Sequence, residues 1–141
     1  MPAFHFHSNI PVRYGDLDPQ GHLNNAHFFT FIEQARVDYL VHLGLWTGQD
    51  FLELGLIVAD AHIAYLNQVN LGQTVRIGTR VSRIGNKSLG FEYELTDLET
   101  GQILARGDTA MVAYDYRTRQ TIRVPDEWRE KIEKHEQKDK G

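Results

Sequence analysis

The sequence predicts an α+β domain in which an antiparallel sheet of about five strands wraps around one long helix. Two patterns carry this prediction. Between residues 26 and 43, apolar side chains recur at spacings of three and four, which is the period of one helical face. After residue 56, four runs alternate apolar and polar side chains instead, which is the period of strands with one buried face. One helix and several two-faced strands bury their apolar sides by packing against each other.

The helix over residues 26–43 has recognisable signals at both ends. Asn24 or Asn25 can cap its start, because an asparagine side chain accepts a hydrogen bond from a free N–H of the first turn. Gly44 follows the last apolar residue and His42 lies in the last turn, which together are typical of a helix end. The apolar stripe consists of Phe28, Ile32, Ala35, Tyr39 and Leu43.

Five strands are predicted from alternation and from the turn residues that separate the runs. In the second strand, the odd-numbered residues from Ile57 to Tyr65 are expected to face the core, which leaves Leu56 and Val58 on the opposite face. The last strand has small residues on one face, as expected where a helix lies close to a sheet. The predicted strands are residues 4–14, 56–65, 75–81, 89–95 and 103–114.

The connection between the third and fourth strands has a predictable register. Both strands have their apolar residues at odd positions, and a two-residue turn at Gly85 and Asn86 would pair odd positions with even ones. We therefore expect a three-residue loop or a bulge there, with Arg80 lying across from Glu92.

Length and composition indicate one ordinary globular domain. The chain has 141 residues, of which 41% are hydrophobic and 24% charged, and this balance excludes disorder or a collagen-like structure as the main feature. We assign residues 1–129 to the domain. Residues 130–141 are almost wholly polar and are interpreted as a C-terminal tail that begins with a frayed helix.

Charge and residue usage exclude several classes of function. A net charge of −4 argues against a dedicated nucleic-acid binder. No apolar run approaches the roughly 20 residues that span a bilayer, so no membrane partner is expected. The absence of cysteine excludes thiol nucleophiles, disulfides and zinc–thiolate sites, and fits a cytoplasmic location.

The segment between the first strand and the helix, residues 15–25, concentrates residues suited to chemistry. It contains two carboxylates, a glycine and the start of the longest helix. Free N–H groups and the positive end of the helix dipole at that start can stabilise a developing negative charge. A carboxylate a few residues upstream is suited to act as a base or a nucleophile toward a carbonyl held there. Taken alone, these residues are also typical of turn and cap chemistry.

The segment RYGDLDPQGHLNNAHF, residues 13–28, continues through FIEQAR at residues 31–36. It closely resembles the signature of the 4-hydroxybenzoyl-CoA thioesterase-like branch of the hotdog-fold superfamily. The order of strand, helix and long strands extends the similarity over nearly the whole chain. The resemblance implies a hotdog fold, a curved antiparallel sheet around a central helix. It also implies assembly as a homodimer or homotetramer, and hydrolysis of acyl-CoA or acyl-carrier-protein thioesters without a metal or cofactor.

The resemblance also assigns roles to residues of the loop. Asp18 stands where the family has its catalytic carboxylate, which activates water or attacks the thioester carbon, and Asp16 precedes it as a structural acid. Asn25 stands where a backbone N–H at the helix start polarises the thioester carbonyl. Gly21 lies in the turn that brings the acyl group close to the backbone. His22 departs from the aromatic-acyl members and resembles the Gly-His-Val-Asn-Asn version found in long-chain acyl-CoA thioesterases. In this chain His22 can tune Asp18, hydrogen-bond the substrate or simply pack over the helix start.

Substrate-binding residues outside the loop are expected from the chemistry of coenzyme A. Its phosphoryl groups need cationic partners, and Arg83 and Lys87 flank the loop at residues 85–86. Tyr65 is a candidate for lining the acyl site. No metal site is predicted, because His5, His7, His27 and His62 have no acidic or cysteine partner at regular ligand spacing.

The resemblance further predicts how subunits meet. In hotdog proteins the strand that corresponds to residues 56–65 often pairs across a dimer axis, which covers an otherwise exposed sheet edge. We therefore expect the active site to use residues of two subunits.

The function predicted is an acyl-CoA thioesterase with Asp18 as base or nucleophile and the helix start at Asn25 as oxyanion site. One alternative is an acyl-carrier-protein or biosynthetic aryl-CoA thioesterase, and an acidic carrier would demand a larger basic surface. Another is a non-catalytic hotdog protein that binds acyl-CoA, for which the carboxylate would not be required. Hydratases of the same fold have a different arrangement of Asp and His.

Overall fold

The computed structural model describes residues 4–50, 52 and 55–137. One sheet runs in the order β1-β3-β4-β5-β2, with β6 paired to β5, and every pairing is antiparallel. Neither of the two helices described is long and apolar enough to cross a membrane. The elements are β1 (Phe6–Pro11), α1 (Asn25–His42), β2 (Leu56–Tyr65), β3 (Thr74–Ile84), β4 (Ser88–Asp97), β5 (Ile103–Asp115), β6 (Gln120–Thr121) and α2 (Asp126–Glu136).

The predicted α+β class and the long helix are confirmed. The helix begins at Asn25 with Asn24 as its cap, whose side-chain oxygen accepts from the Ala26 N–H at 2.9 Å. The first strand is shorter than predicted, because the chain leaves the sheet after Pro11 and forms one 3-10 turn at Tyr14–Asp16.

The β3–β4 connection contains both a three-residue loop and a bulge, the two alternatives that were predicted from the strand register. Three residues, 85–87, separate the strands, and the register shifts between Val81 and Arg83. As a result the apolar residues of both strands face the core, and Arg80 lies across from Glu92 and bonds to it, with Nε to Oε1 at 2.8 Å.

The predicted inward face of β2 is wrong in its first half. Leu56 is 6% exposed and lies in the core, whereas Ile57 is 37% exposed. A bulge between Val58 and Asp60 inserts one residue and reverses the alternation. Beyond the bulge Ile63 packs against the core as predicted, whereas Tyr65, also predicted to face inward, is 43% exposed.

The helix α1 packs close against the sheet where β5 has no side chain. A Cβ built on Gly107 would lie 3.0 Å from both Cδ1 of Ile32 and the His62 carbonyl oxygen, so glycine permits this close packing without displacing either neighbour. One turn further, the Arg36 guanidinium donates to the Tyr93 hydroxyl at 3.2 Å, and that hydroxyl is 2.8 Å from Oγ1 of Thr109. These buried polar groups satisfy one another between helix and sheet.

The second helix joins the core at the far end of α1. Helix α2 crosses the domain boundary that was predicted after residue 129, and its residues Ile132 and His135 are buried. Its Glu136 carboxylate accepts from the Tyr39 hydroxyl at 2.5 Å and from the Val81 N–H at 3.0 Å. Burial, followed by the neighbouring Glu136, raises the pKa of Tyr39, which stays a neutral donor.

Candidate active site

The loop between β1 and α1 is tied to its surroundings by backbone bonds. Leu17 and Leu23 form an antiparallel bridge within it, and the Leu23 N–H donates to the Val69 carbonyl at 2.7 Å. The Asn24 N–H donates to the Asp16 carbonyl at 2.9 Å, which holds the loop against the start of α1. The loop is therefore a fixed platform rather than a free connection.

Asp18 has one oxygen committed to the loop and one available. Its Oδ1 accepts from the backbone N–H groups of Gln20 at 2.9 Å and His22 at 3.1 Å, as in an Asx turn. Gly21 closes this turn with a φ of +83°, a conformation that favours glycine. Within the described part of the chain, Oδ2 has no hydrogen-bond partner. The carboxylate is thus oriented by Oδ1 while Oδ2 stays free for chemistry.

The start of α1 offers a backbone donor beside this carboxylate. Asn25 is the first residue of the helix, so its N–H has no acceptor within the helix, and none among the other described residues bonds to it. The Tyr65 hydroxyl donates to the Asn25 carbonyl at 3.0 Å, and the rings of Tyr65 and Phe28 form a T-shaped pair with centroids 5.0 Å apart. Tyr65 therefore holds the first peptide of the helix from the β2 side.

A cavity of about 360 Å³ lies between the loop, the helix start and the segment that follows β2. It brings together four of the predicted site residues, Asp18, His22, Asn25 and Tyr65. Gly21 is not among its lining residues. The remaining lining residues are Gln20, Leu23, Phe28, Leu66, Asn67, Gln68 and Val69.

The predicted cationic residues, Arg83 and Lys87, do not line this cavity. Arg83 and Lys87 are exposed at the β3–β4 connection, where Lys87 donates to the Thr121 hydroxyl at 3.3 Å. The cavity lies near the opposite end of β3, because His22 pairs with Asn70 shortly before that strand begins at Thr74. At the rise of an extended strand, the path along β3 from Thr74 to Arg83 is about 30 Å long. The fold of this chain therefore does not bring these cations and Asp18 together.

The hydrogen bonds made by the buried carboxylate of Asp16 were not predicted in detail. The side chain of Asp16 is 2% exposed and accepts from Arg13 at 3.1 Å and from Nδ1 of His27, also at 3.1 Å. Burial raises the pKa of Asp16, but hydrogen bonds from the Arg13 side chain and N–H and from His27 outweigh it and leave the pKa at about 2. The three-residue spacing of Arg13 and Asp16 was a usable signal, whereas His27 is brought in only by the first turn of α1.

A second missed contact supports the cavity histidine. Nδ1 of His22 is 2.8 Å from Oδ1 of Asn70, and the two residues form an isolated antiparallel bridge. They lie 48 positions apart in the sequence, so no local pattern could have paired them.

The histidines weighed as metal ligands have separate surroundings. His27 bonds to Asp16, and His62 bonds to Asp60 at 3.0 Å on the outer face of β2. His7 lies on β1, and burial, followed by the charge of Arg76, lowers its pKa. Across residues 4–50, 52 and 55–137, no three His, Asp or Glu side chains form a group that could hold a metal ion.

Comparison with known proteins decides the family. A model of the thioesterase-like superfamily matches residues 12–132, which include the loop, the cavity and most of both helices. The chain belongs to the thioesterase-like superfamily. The predicted family and the predicted enzyme class, a thioester hydrolase, are thereby confirmed.

Relatives of this thioesterase-like chain agree in length and fold. It is 27% identical to the long-chain acyl-CoA thioesterase FadM of Escherichia coli, over 89% of this chain and 96% of that protein. It is 28% identical to a 1,4-dihydroxy-2-naphthoyl-CoA hydrolase of Thermosynechococcus vestitus, over 82% and 80%. A Thermus thermophilus thioesterase, solved with coenzyme A and zinc, superposes with a TM-score of 0.84 at 31% identity, over 96% and 98%. These likenesses confirm the predicted hotdog fold.

Proposed function

We propose that this protein is an acyl-CoA thioesterase that acts at the cavity between Asp18 and the start of α1. The observation that best supports the proposal is that Asp18, with a free carboxylate oxygen, and Asn25, with a free helical N–H, both line one cavity. Support comes from the CoA-bound relative and from FadM, whose names state a thioesterase and a long-chain acyl-CoA substrate.

The reaction follows from these two groups. Asp18 takes a proton from water as the water oxygen bonds to the thioester carbon, and the Asn25 N–H stabilises the oxyanion that forms. The carbon–sulfur bond then breaks, and the CoA thiolate recovers the proton from Asp18. One such N–H contributes roughly 3 to 4 kcal/mol and a positioned base roughly 10² to 10⁴ in rate, which suffices for an activated thioester.

A covalent route uses the same residues in another order. Asp18 attacks the thioester carbon, the CoA thiolate leaves, and water hydrolyses the resulting mixed anhydride. A single turnover in ¹⁸O-labelled water separates the routes, with mass spectrometry of the released acid and of the peptide containing Asp18. Label entering Asp18 would establish the anhydride, because only hydrolysis at its aspartyl carbonyl transfers a water oxygen to the enzyme, whereas direct attack of water leaves Asp18 unlabelled.

Binding of coenzyme A is proposed to need a second subunit. Strand β2 is one of the two edge strands of the described sheet, and Ile57 and Val58 on it are exposed. Antiparallel pairing of two such edges places the Tyr65 end of one strand beside the Leu56 end of the other. Leu56 pairs with Ala113, whose N–H donates to the Lys87 carbonyl. A symmetric dimer thus brings one subunit's cationic connection toward the other's cavity.

Light scattering after size-exclusion chromatography tests this assembly. We expect a mass at least twice the 16.2 kDa of one chain. Val58→Lys at the edge should lower both the mass and the activity, because an edge charge opposes strand pairing. Lys substituted at the exposed Leu98, on the β4–β5 turn, is the matched control and should change neither. A wild-type monomer that retains full activity would contradict the two-subunit site.

The substrate class is tested by thiol release from short, long and aromatic acyl-CoAs and from acyl-carrier proteins. We expect turnover of CoA thioesters. Preference for aromatic acyl groups would favour the aryl-CoA alternative, which the hydrolase relative of Thermosynechococcus vestitus supports. Binding of acyl-CoA by folded protein without release above background would overturn catalysis in favour of a binding role. A cytoplasmic location stays a prediction.

A further inference from the structure

The cavity histidine is held by a residue outside every motif of the sequence. Asn70 lies in the loop before β3 and places its side-chain oxygen 2.8 Å from Nδ1 of His22. His22 lines the cavity and Asn70 does not, so Asn70 supports the ring from behind. We propose that Asn70 is the positioning residue for His22, fixing the tautomer in which Nε2 carries a free lone pair. This inference rests on the proposed thioesterase function.

Asn70 is itself anchored to the end of the sheet. Its N–H donates to Oε1 of Gln73 at 2.6 Å, and the Gln73 side-chain amide donates to Asp97 at 3.4 Å. Asp97 is buried, and hydrogen bonds from the side chain and N–H of Thr100 hold its pKa below the ordinary value. The Gln73 carbonyl also accepts from Val12 at the end of β1. The loop carrying Asn70 therefore has a defined position relative to the catalytic loop.

The chemistry of the contact selects one tautomer. A neutral imidazole has one donor and one acceptor nitrogen. With the Asn70 oxygen as acceptor, the proton lies on Nδ1, so Nε2 accepts. Because an amide oxygen is uncharged, it orients the ring through one hydrogen bond without adding a charge beside the cavity. The other titratable groups that line the cavity are Asp18 and Tyr65.

Two acceptors at one cavity suit an attacking water. Water has two hydrogens, and Nε2 of His22 and Oδ2 of Asp18 can each accept one. Its lone pair then remains for the thioester carbon, near the Asn25 N–H. An imidazole in the other tautomer would offer a donor instead and would misorient the water.

The test compares Asn70→Ala with Asn70→Asp. The alanine variant removes the acceptor, and we expect kcat to fall about 10-fold with little change in KM, the effect of one lost positioning bond. The aspartate variant keeps an acceptor but adds charge. It should restore kcat at high pH while the acidic limb of its pH–rate profile moves about one pH unit upward. Leu71→Ala, at an exposed neighbour in the same loop, should match the wild type.

Ring nitrogen NMR of ¹⁵N-histidine protein gives a readout that needs no substrate. The His22 signals, assigned with a His22→Gln variant, should show the Nδ1–H form in the wild type and in Asn70→Asp. They should show a mixture of tautomers in Asn70→Ala. An unchanged tautomer and an unchanged kcat in Asn70→Ala, or equal losses of kcat in both variants, would overturn the proposal. A wild type without thioesterase activity would overturn the proposed function instead, while the NMR comparison would still decide the tautomer.

Discussion

Asp18→Asn is expected to lower kcat for thioester hydrolysis by about 10² to 10⁴, the range that a positioned base contributes. Asparagine keeps an oxygen that can accept from the Gln20 and His22 N–H groups, so the loop should retain its conformation. It cannot take a proton or attack a carbonyl. Thiol release from the preferred acyl-CoA, with a thermal unfolding curve for each variant, measures the effect.

The control for this variant is Asp38→Asn. Asp38 lies on α1 away from the cavity, where it accepts from the Gln34 side chain at 2.8 Å, a bond that an amide oxygen can also accept. The control should hydrolyse thioesters at the wild-type rate. If Asp18→Asn did the same while folded, the free oxygen of Asp18 would have no part in the reaction, and the proposed mechanism would fail.

Asp16→Asn is expected to reduce the free energy of unfolding by about 2 kcal/mol at neutral pH, because charged hydrogen bonds to a buried carboxylate are lost. Activity should fall as well, since Asp16 ties the catalytic loop to His27 in the first turn of α1. Urea unfolding followed by circular dichroism measures the stability term. Asp126→Asn is the matched control. It removes an Arg–Asp pair of the same spacing that is exposed on α2, and it should leave stability nearly unchanged.

The contribution of Asp16 should depend on pH in a defined direction. Its pKa is about 2 in the folded protein and 3.8 ordinarily. The unfolded chain therefore binds the proton first as pH falls, and stabilisation that is complete above about pH 4 is lost on the way to pH 2. The difference in the free energy of unfolding between the wild type and Asp16→Asn should decrease as the pH falls from about 4 to 2. A gap that stayed constant down to pH 2 would show that charge on Asp16 contributes nothing.

Much of the fold was predictable because its signals are local. The helix period fixed α1 to within a residue at each end, and odd-position alternation identified the core face of β3 and β4. The prediction for the first half of β2 was wrong because a bulge reverses the alternation of inward and outward side chains there. The bulge is a feature of the pairing between β2 and β5, which no pattern within β2 reports.

The site was predictable where its residues are close in sequence. Asp18, His22 and Asn25 fall within eight positions, and turn and helix-start geometry suffice to place them at one cavity. The partners that tune them arrive from other elements. Asn70 comes from the loop before β3 and Tyr65 from the end of β2, and neither contact has a sequence signature.

By itself, the sequence determined the fold class and predicted the loop of residues 15–25 and its Asp18 as the candidate site, because periodicity, turn residues and capping act over a few positions. Only the tertiary structure decided which oxygen of Asp18 is free and which residues bond to His22 and Asp16. It also showed that Arg83 and Lys87 lie far from Asp18 within the chain. These properties depend on strand register and on contacts between distant segments, which form only when the sheet closes over the helix.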